Sequence, residues 1–328
     1  MKRISQTVNI QNKNQGATLN QENNTARAES GPNRNPIWLT GIVVSISLGA
    51  LIAWLGSSGS DPFGQVPVFA LIIGWAYLIN WVVFLPSFIF HTEKYFDLTG
   101  AVTYITATLA AVALSEELDF RAGVATVLVI VWSGRLGMFL YLRIQRDGHD
   151  VRFDQMKHDF WQFFMTWTIQ GLWVSLTAST AFVIITSQVD VDFGWIGILG
   201  LVIWFMGFSI EVIADYQKSR FKKDPANQGR FISTGLWALC RHPNYFGEIL
   251  LWTGMLVITL PVLSGSRWFA VVSPLFVYFL LTRVSGIPML QKRADERWGG
   301  DPAYQDYLKN TPKLIPWPSF LHSRSASN

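Results

Sequence analysis

Eight apolar stretches, most of them near twenty residues long, fill the chain between residues 37 and 289. They cover 37–55, 67–90, 98–114, 122–142, 160–187, 193–214, 244–264 and 267–289. A helix rises about 1.5 Å per residue, so about twenty residues cross the ~30 Å hydrocarbon core of a bilayer. A closed barrel would instead show alternating segments of about ten residues, and these runs do not alternate. The expected fold is all-α: a polytopic integral membrane helix bundle of seven to eight transmembrane helices. The third stretch is short and rich in Ala and Thr. The fifth is overlong and is expected to tilt or break near Gln170-Gly171. Half the residues are hydrophobic and only 15% are charged, against about a quarter in soluble domains. That excludes a soluble globular enzyme, because such a surface could not be clothed. A single cysteine, Cys240, excludes a disulfide scaffold.

The ends differ from the middle. Residues 1–36 are rich in Asn, Gln and Ser, with almost no large apolar groups, so a disordered tail is expected. No apolar stretch follows the basic start, so this is not read as a signal peptide. Residues 320–328 are expected to be loose, leaving 37–319 as the membrane domain. The 26 Lys and Arg sort by side when eight spans start from a cytoplasmic N-terminus. Five fall in the N-terminal tail, Lys94 in the second loop and four in the loop from Arg143 to Lys157. Six lie from Lys218 to Arg241 and six from Lys292 to Arg324. The opposite side receives only Arg121 and Arg267, while Arg135 and Arg283 lie inside spans. Basic residues accumulate on the cytosolic side, so both termini are expected to be cytoplasmic. The net charge of +4 offers no basic face for nucleic acid.

Ionisable residues within spans are costly and point to function. Here they are Arg135, Glu211, Asp215, Glu248 and Arg283, all in the cytosolic half. Snorkelling would account for Arg283 and Asp215. Five such residues on four helices favour a shared polar cavity, and a transporter would place them nearer the midplane. Glu211 and Asp215 stand four apart, and Asp215 and Lys218 three apart, so all can share one helix face. Asn244, Glu248 and Trp252 recur at every fourth residue, drawing a polar stripe into an apolar span. Pro243 suits a helix first turn. Arg241 and His242 sit just before that turn, whose free N–H groups and dipole favour phosphates. Gly194, Gly197 and Gly200 lack a nucleotide-binding spacing and read as helix-packing positions. The five histidines show no metal-ligand spacing, so no metal is expected. Cys240 reads as a small filler.

The blocks KYFDLTG (94–100), RLGMFLYLRIQRDGHDVRF (135–153), EVIADYQKSRFK (211–222), RHPNYFGE (241–248, preceded by Gly235-Leu236-Trp237), LLTRVSGIP (280–288) and YQDYLKNTPKLIP (304–316) together resemble the steroid 5-alpha-reductase family, most closely its bacterial membrane members. The likeness runs from about residue 90 to 317. It implies a helical membrane reductase that takes NADPH from the cytosol. Such an enzyme reduces a carbon–carbon double bond conjugated to a carbonyl in a lipophilic, steroid-like or isoprenoid-like molecule drawn from the bilayer. Its partners would be that small molecule and membrane lipid. Carried onto matching positions, the resemblance assigns cofactor binding to Asp215, Lys222, Arg230, Asn244 and Glu248, and further to Arg241, Tyr245, Trp252 and Arg283. Lys218 and His242 adjoin these, and Glu211 stands where the family has Asn. The family's Glu and Tyr near the substrate carbonyl have no matched counterparts. Tyr95, Asp97 and Arg135 are the polar groups in that region and are the catalytic candidates.

Two rivals remain open. A membrane methyltransferase like isoprenylcysteine carboxyl methyltransferase shares an RHPxY block and uses S-adenosylmethionine. It would carry an acid where this chain has Gln291. A non-enzymatic lipid-binding membrane protein would need no cofactor. The topology is directly checkable: a cysteine introduced at Asn227 should label from the cytosol and one at Asp190 from the opposite side, and any other pattern breaks the eight-span arrangement.

Overall fold

The computed structural model describes residues 35–316. It is a helix bundle, with strand pairing confined to a two-residue hairpin (Pro62–Phe63 with Val66–Pro67) and one isolated bridge among the described residues. The helices are α1 (Asn35–Gly56), α2 (Val68–Ile89), α3 (Phe96–Leu114), α4 (Phe120–Asp147), α5 (Phe160–Thr177) and α6 (Ser179–Ile185). There follow α7 (Gly194–Lys223), the short α8 (Leu236–Leu239), α9 (Pro243–Thr259), α10 (Val272–Phe279), α11 (Ile287–Trp298) and α12 (Pro302–Asn310). Seven helical segments are long and apolar enough to cross a membrane, and α5 with α6 makes an eighth if that bent pair is one span. The expected disordered and loose tails lie outside the described residues, except that α1 already begins at Asn35, two residues inside the expected N-terminal tail.

The fifth span does break, but at Ala178 and by 57°, not at Gln170-Gly171. Those two residues serve packing instead. Gln170 donates its amide to the Phe96 carbonyl at the start of α3, 2.9 Å away. Gly171 lies against Tyr77 of α2, whose Cα a Cβ there would meet at 3.1 Å. The third stretch is a helix despite its low hydropathy. Its Thr103, Ala107, Thr108 and Ala111 are buried against neighbouring helices, where small side chains permit close approach. The eighth stretch lies within one span-length segment, Gly265–Trp298, in which α10 passes through a π-helical turn over Leu280–Val284 and a bend at Ser285-Gly286 into the polar α11.

The ends of the bundle are built differently. At the end opposite the basic loops, both arginines are buried and bind loop carbonyls. Arg121 reaches the carbonyls of Ile258 (2.7 Å) and Asp192 (2.6 Å). Arg267 reaches the Ser58 carbonyl (2.5 Å) and the Ser187 hydroxyl (2.9 Å). Each ties segments far apart in sequence and satisfies carbonyls that would otherwise be buried unpaired. At the basic end, α11, α12 and the 224–235 loop form an aromatic cap. Phe231 packs on Trp298, Tyr304 and Tyr307. Trp298 donates to the Gly229 carbonyl (2.6 Å) and Tyr307 to that of Trp237 (2.7 Å).

The closest helix pair is α7 with α9. Gly200 and Gly207 on α7 face Gly254 and Gly247 on α9. A Cβ on Gly247 would come within 2.6 Å of the Gly207 carbonyl oxygen, and one on Gly200 within 2.8 Å of that of Gly254. The backbones are therefore in direct contact, which only residues without side chains allow. Gly247→Leu should force the helices apart, costing about 3 kcal/mol or more and lowering the unfolding temperature of detergent-solubilised protein. Gly74→Leu, where a Cβ meets nothing within 4 Å, should leave that temperature unchanged or raised.

Candidate active site

The α7–α9 contact sets two polar faces against each other. On α7, Gly207, Glu211, Ala214 and Asp215 are buried on one face. On α9, Asn244, Glu248 and Trp252 follow one another at single-turn intervals beside Gly247 and Leu251. A third helix, α4, brings Arg135 into the notch between them. Its guanidinium forks: Nη1 lies 2.6 Å from Glu211 Oε1 and Nη2 lies 2.6 Å from Asp215 Oδ2. Bidentate recognition of this kind suits the planar guanidinium. The remaining carboxylate oxygens also have donors. Trp132 Nε1 donates to Glu211 Oε2 (3.2 Å), and Asn244 Nδ2 to Asp215 Oδ1 (3.2 Å). The Phe139 ring covers the guanidinium at 5.4 Å. Glu248 stands close enough to Glu211, Asp215 and Arg135 to interact with all three charges.

Immediately beside this ionic cluster lies an aromatic one. Trp132 (α4), Trp252 (α9) and Tyr104 (α3) contact one another edge to face or tilted, with centroids 5.0, 5.1 and 6.4 Å apart. All three are buried. Trp252 Nε1 has no hydrogen-bond partner, and the Tyr104 and Thr177 hydroxyls stand side by side without closing a well-formed hydrogen bond. Buried polar groups are rarely left unpaired, and each such exception calls for a reason. A ligand oxygen would supply one.

The other expected residues lie further along α7, in its connection to α9, at the start of α9 and in the π-helical turn. Lys218 lies over the Trp237 ring at 4.7 Å. His242 is buried and stacks on Tyr245 with centroids 5.7 Å apart. Arg241 is held by Gln291 (3.3 Å) on α11, and its backbone N–H donates to the Pro312 carbonyl. Tyr245 lies within electrostatic reach of Arg143 and Arg152. Lys222, Arg230 and Arg283 are exposed at the same end. Of the catalytic candidates, Arg135 is central to the cluster. Asp97 instead pairs with Arg143 (3.2 Å). Tyr95 caps the start of α3, half exposed and apart from the notch. Trp132 and Tyr104 escaped sequence reasoning. Trp132 had a signal, being one helical turn from Arg135. Tyr104 had none, because an aromatic in an apolar run looks like core.

Electrostatics narrows what these residues can do. Burial, together with the nearby cations Lys218, Arg241 and Lys313, pushes His242 down from 6.5 to about 3. It is a neutral stacking ring and no cation for phosphate. Burial pushes the Cys240 thiol up to about 11, which suits a filler and not a nucleophile.

A family model described as "Protein of unknown function (DUF1295)" matches residues 83–311. Among curated proteins, the chain is 32% identical over 125 residues to steroid 5-alpha-reductase DET2 of Gossypium hirsutum, covering 38% of this chain and 43% of that one. It is 29% identical over 142 residues to Delta(14)-sterol reductase ERG24 of Saccharomyces cerevisiae, covering 39% and 30%. A shorter likeness, 39% over 46 residues, links it to the probable O-methyltransferase ustE of Ustilaginoidea virens, covering 14% and 16%. The matches thus span less than half the length of these relatives. No solved structure matches.

His242 supplies a test with a definite sign. The folded chain keeps the ring neutral to about pH 3, while the unfolded chain protonates it below 6.5. Its contribution to stability is therefore full above pH 6.5 and declines as pH falls toward 3. His242→Phe, which retains the stacking ring, should show a shallower fall in unfolding temperature between pH 6.5 and 4 than the parent protein.

Proposed function

Because the chain belongs to the DUF1295 family and is similar to steroid 5-alpha- and sterol reductases, we propose that it is an integral membrane reductase using NADPH to saturate a conjugated carbon–carbon double bond in a lipophilic, sterol-like molecule. One observation carries the reading. A buried, hydrogen-bonded polar cluster lies inside an apolar bundle, and it adjoins an aromatic wall that holds the unpaired Trp252 N–H. Orientation follows the charge asymmetry, with the basic end and both termini in the cytoplasm.

The residues present suit a nicotinamide dinucleotide. Asn244, Glu248, Asp215 and Glu211 offer the amide and carboxyl groups that a carboxamide needs. Trp252 adds a buried N–H without a partner. Lys218, Lys222, Arg230 and Arg241 would hold the phosphates, with Tyr245 in electrostatic reach of Arg143 and Arg152. Arg283 lies exposed at the same end. When bound, NADPH supplies the hydride. Arg135 fixes the two α7 carboxylates, and those fix Trp132 and Asn244. The buried Tyr104 hydroxyl would be available to stabilise negative charge developing on a carbonyl oxygen. The three rings exclude water from that volume and favour a flat apolar partner.

The short likeness to an O-methyltransferase keeps an S-adenosylmethionine enzyme as the second reading. Against it, Gln291 stands where an acid is expected and is engaged in holding Arg241, bonding also to Asp295 and Tyr304. Purified protein should be stabilised thermally by NADPH and not by S-adenosylmethionine, and the reverse preference would sink the reductase. Asn244→Ala should weaken NADPH binding roughly five-fold, the worth of about 1 kcal/mol for one hydrogen bond. Unchanged affinity would move the site elsewhere.

A further inference from the structure

The side chain that holds Arg241 is uncharged. Arg241 Nη1 donates to Gln291 Oε1 on α11, 3.3 Å away. The Gln291 amide nitrogen in turn donates to Asp295 Oδ1 (2.7 Å) and to the Tyr304 hydroxyl (3.0 Å) on α12. Tyr304 donates to the same Asp295 oxygen at 3.2 Å. Gln291 and Asp295 stand four apart on α11, so their side chains meet on one face. An amide can serve both neighbours at once, because its oxygen accepts and its nitrogen donates. Here the acceptor is turned to the guanidinium and the donors to the acid and the phenol. A carboxylate at 291 could also bind Arg241, but it would cancel the charge and face Asp295 with no donor between them.

Arg241 therefore keeps its charge. It forms no ion pair among the described residues, and its buried Nε has no hydrogen-bond partner. Its backbone N–H donates to the Pro312 carbonyl at 2.9 Å, which brings the next residue, Lys313, alongside. Lys218 lies over the Trp237 ring, five residues before His242. All three cations act on the buried His242 ring, so they share one neighbourhood. Neither lysine forms an ion pair among the described residues. Three cations gathered without a paired acid attract an anion.

We propose that Gln291 is a positioning residue that selects an anionic ligand, fixing the Arg241 guanidinium while leaving its charge for a phosphate. Asp295 and Tyr304 act behind it, holding the amide in that orientation. The phosphate is assigned to the cofactor, so the proposal rests on the reductase reading.

Binding of NADP+ and of inorganic pyrophosphate to the purified full chain, measured over a range of salt concentrations, tests the assignment. Gln291→Glu keeps a bond to Arg241 and adds one negative charge. It should weaken both anions by roughly ten-fold and make their affinity depend less steeply on salt. A loss of packing alone would lower affinity and leave the salt dependence as it was. Gln291→Leu removes the bond and adds no charge, and should weaken both anions several-fold with the parent's salt dependence. Gln291→Glu that binds as tightly as the parent, or more weakly with unchanged salt dependence, overturns the proposal. If Gln291→Glu does not assemble, unchanged affinity in Gln291→Leu overturns it. Pyrophosphate that follows this pattern while NADP+ fails to bind the parent removes the reductase reading and leaves the anion selection by Gln291. Failure of the parent to bind either anion removes both.

Discussion

The bare backbone contact between α7 and α9 is the constraint on which the rest depends. Gly200 and Gly207 face Gly254 and Gly247 with no side chain between them. A Cβ at any of these positions would separate the helices. Glu211 follows Gly207 by one turn, and Glu248 follows Gly247 directly. The close approach of the helices therefore brings their carboxylates near one another. Dispersion and close packing hold helices together in lipid, where the hydrophobic effect between them is absent. The same contact that stabilises the bundle thus compresses its polar residues into one volume.

That compression creates an electrostatic problem which Arg135 answers in part. One guanidinium with two arms offsets two carboxylates and fixes their orientation, while Trp132 and Asn244 complete their hydrogen bonding. Buried ion pairs of this kind add little net stability, but losing one partner is expensive. Their value here is positional: three helices are held in register around a notch that meets an aromatic wall. The opposite end of the bundle uses the same device for another purpose. Arg121 and Arg267 lie there as buried staples for loop carbonyls, tying the loops of that end together.

The eight apolar stretches were legible because bilayer thickness converts directly into residue count. The sorting of basic residues was legible because it is linear along the chain. The stripe Asn244, Glu248, Trp252 and the pair Glu211, Asp215 were visible because a helix has a known period. Other features were not. The break of the fifth span at Ala178 could not be told from a break at Gly171, since a buried glycine in close packing and a glycine at a kink look alike in one dimension. Tyr104 and Trp132 passed as apolar filler, because their polar atoms matter only through what lies across from them. His242 was counted with the phosphate-binding groups, yet burial among three cations keeps it neutral.

Taken alone, the sequence determined that this chain is a helical membrane bundle, which end is basic, and which residues break the apolar pattern. Local composition and helical periodicity suffice for that. Only the tertiary structure decided which of those residues meet. Asp97 and Tyr95 were as eligible as Arg135 by position along the chain. The packing of α4 against the α7–α9 pair sends Arg135 into the notch, leaves Asp97 with Arg143, and leaves Tyr95 half exposed. The reason is physical: a charge inside an apolar bundle must find its partner across helices, and which helices adjoin is set by packing between faces far apart in sequence.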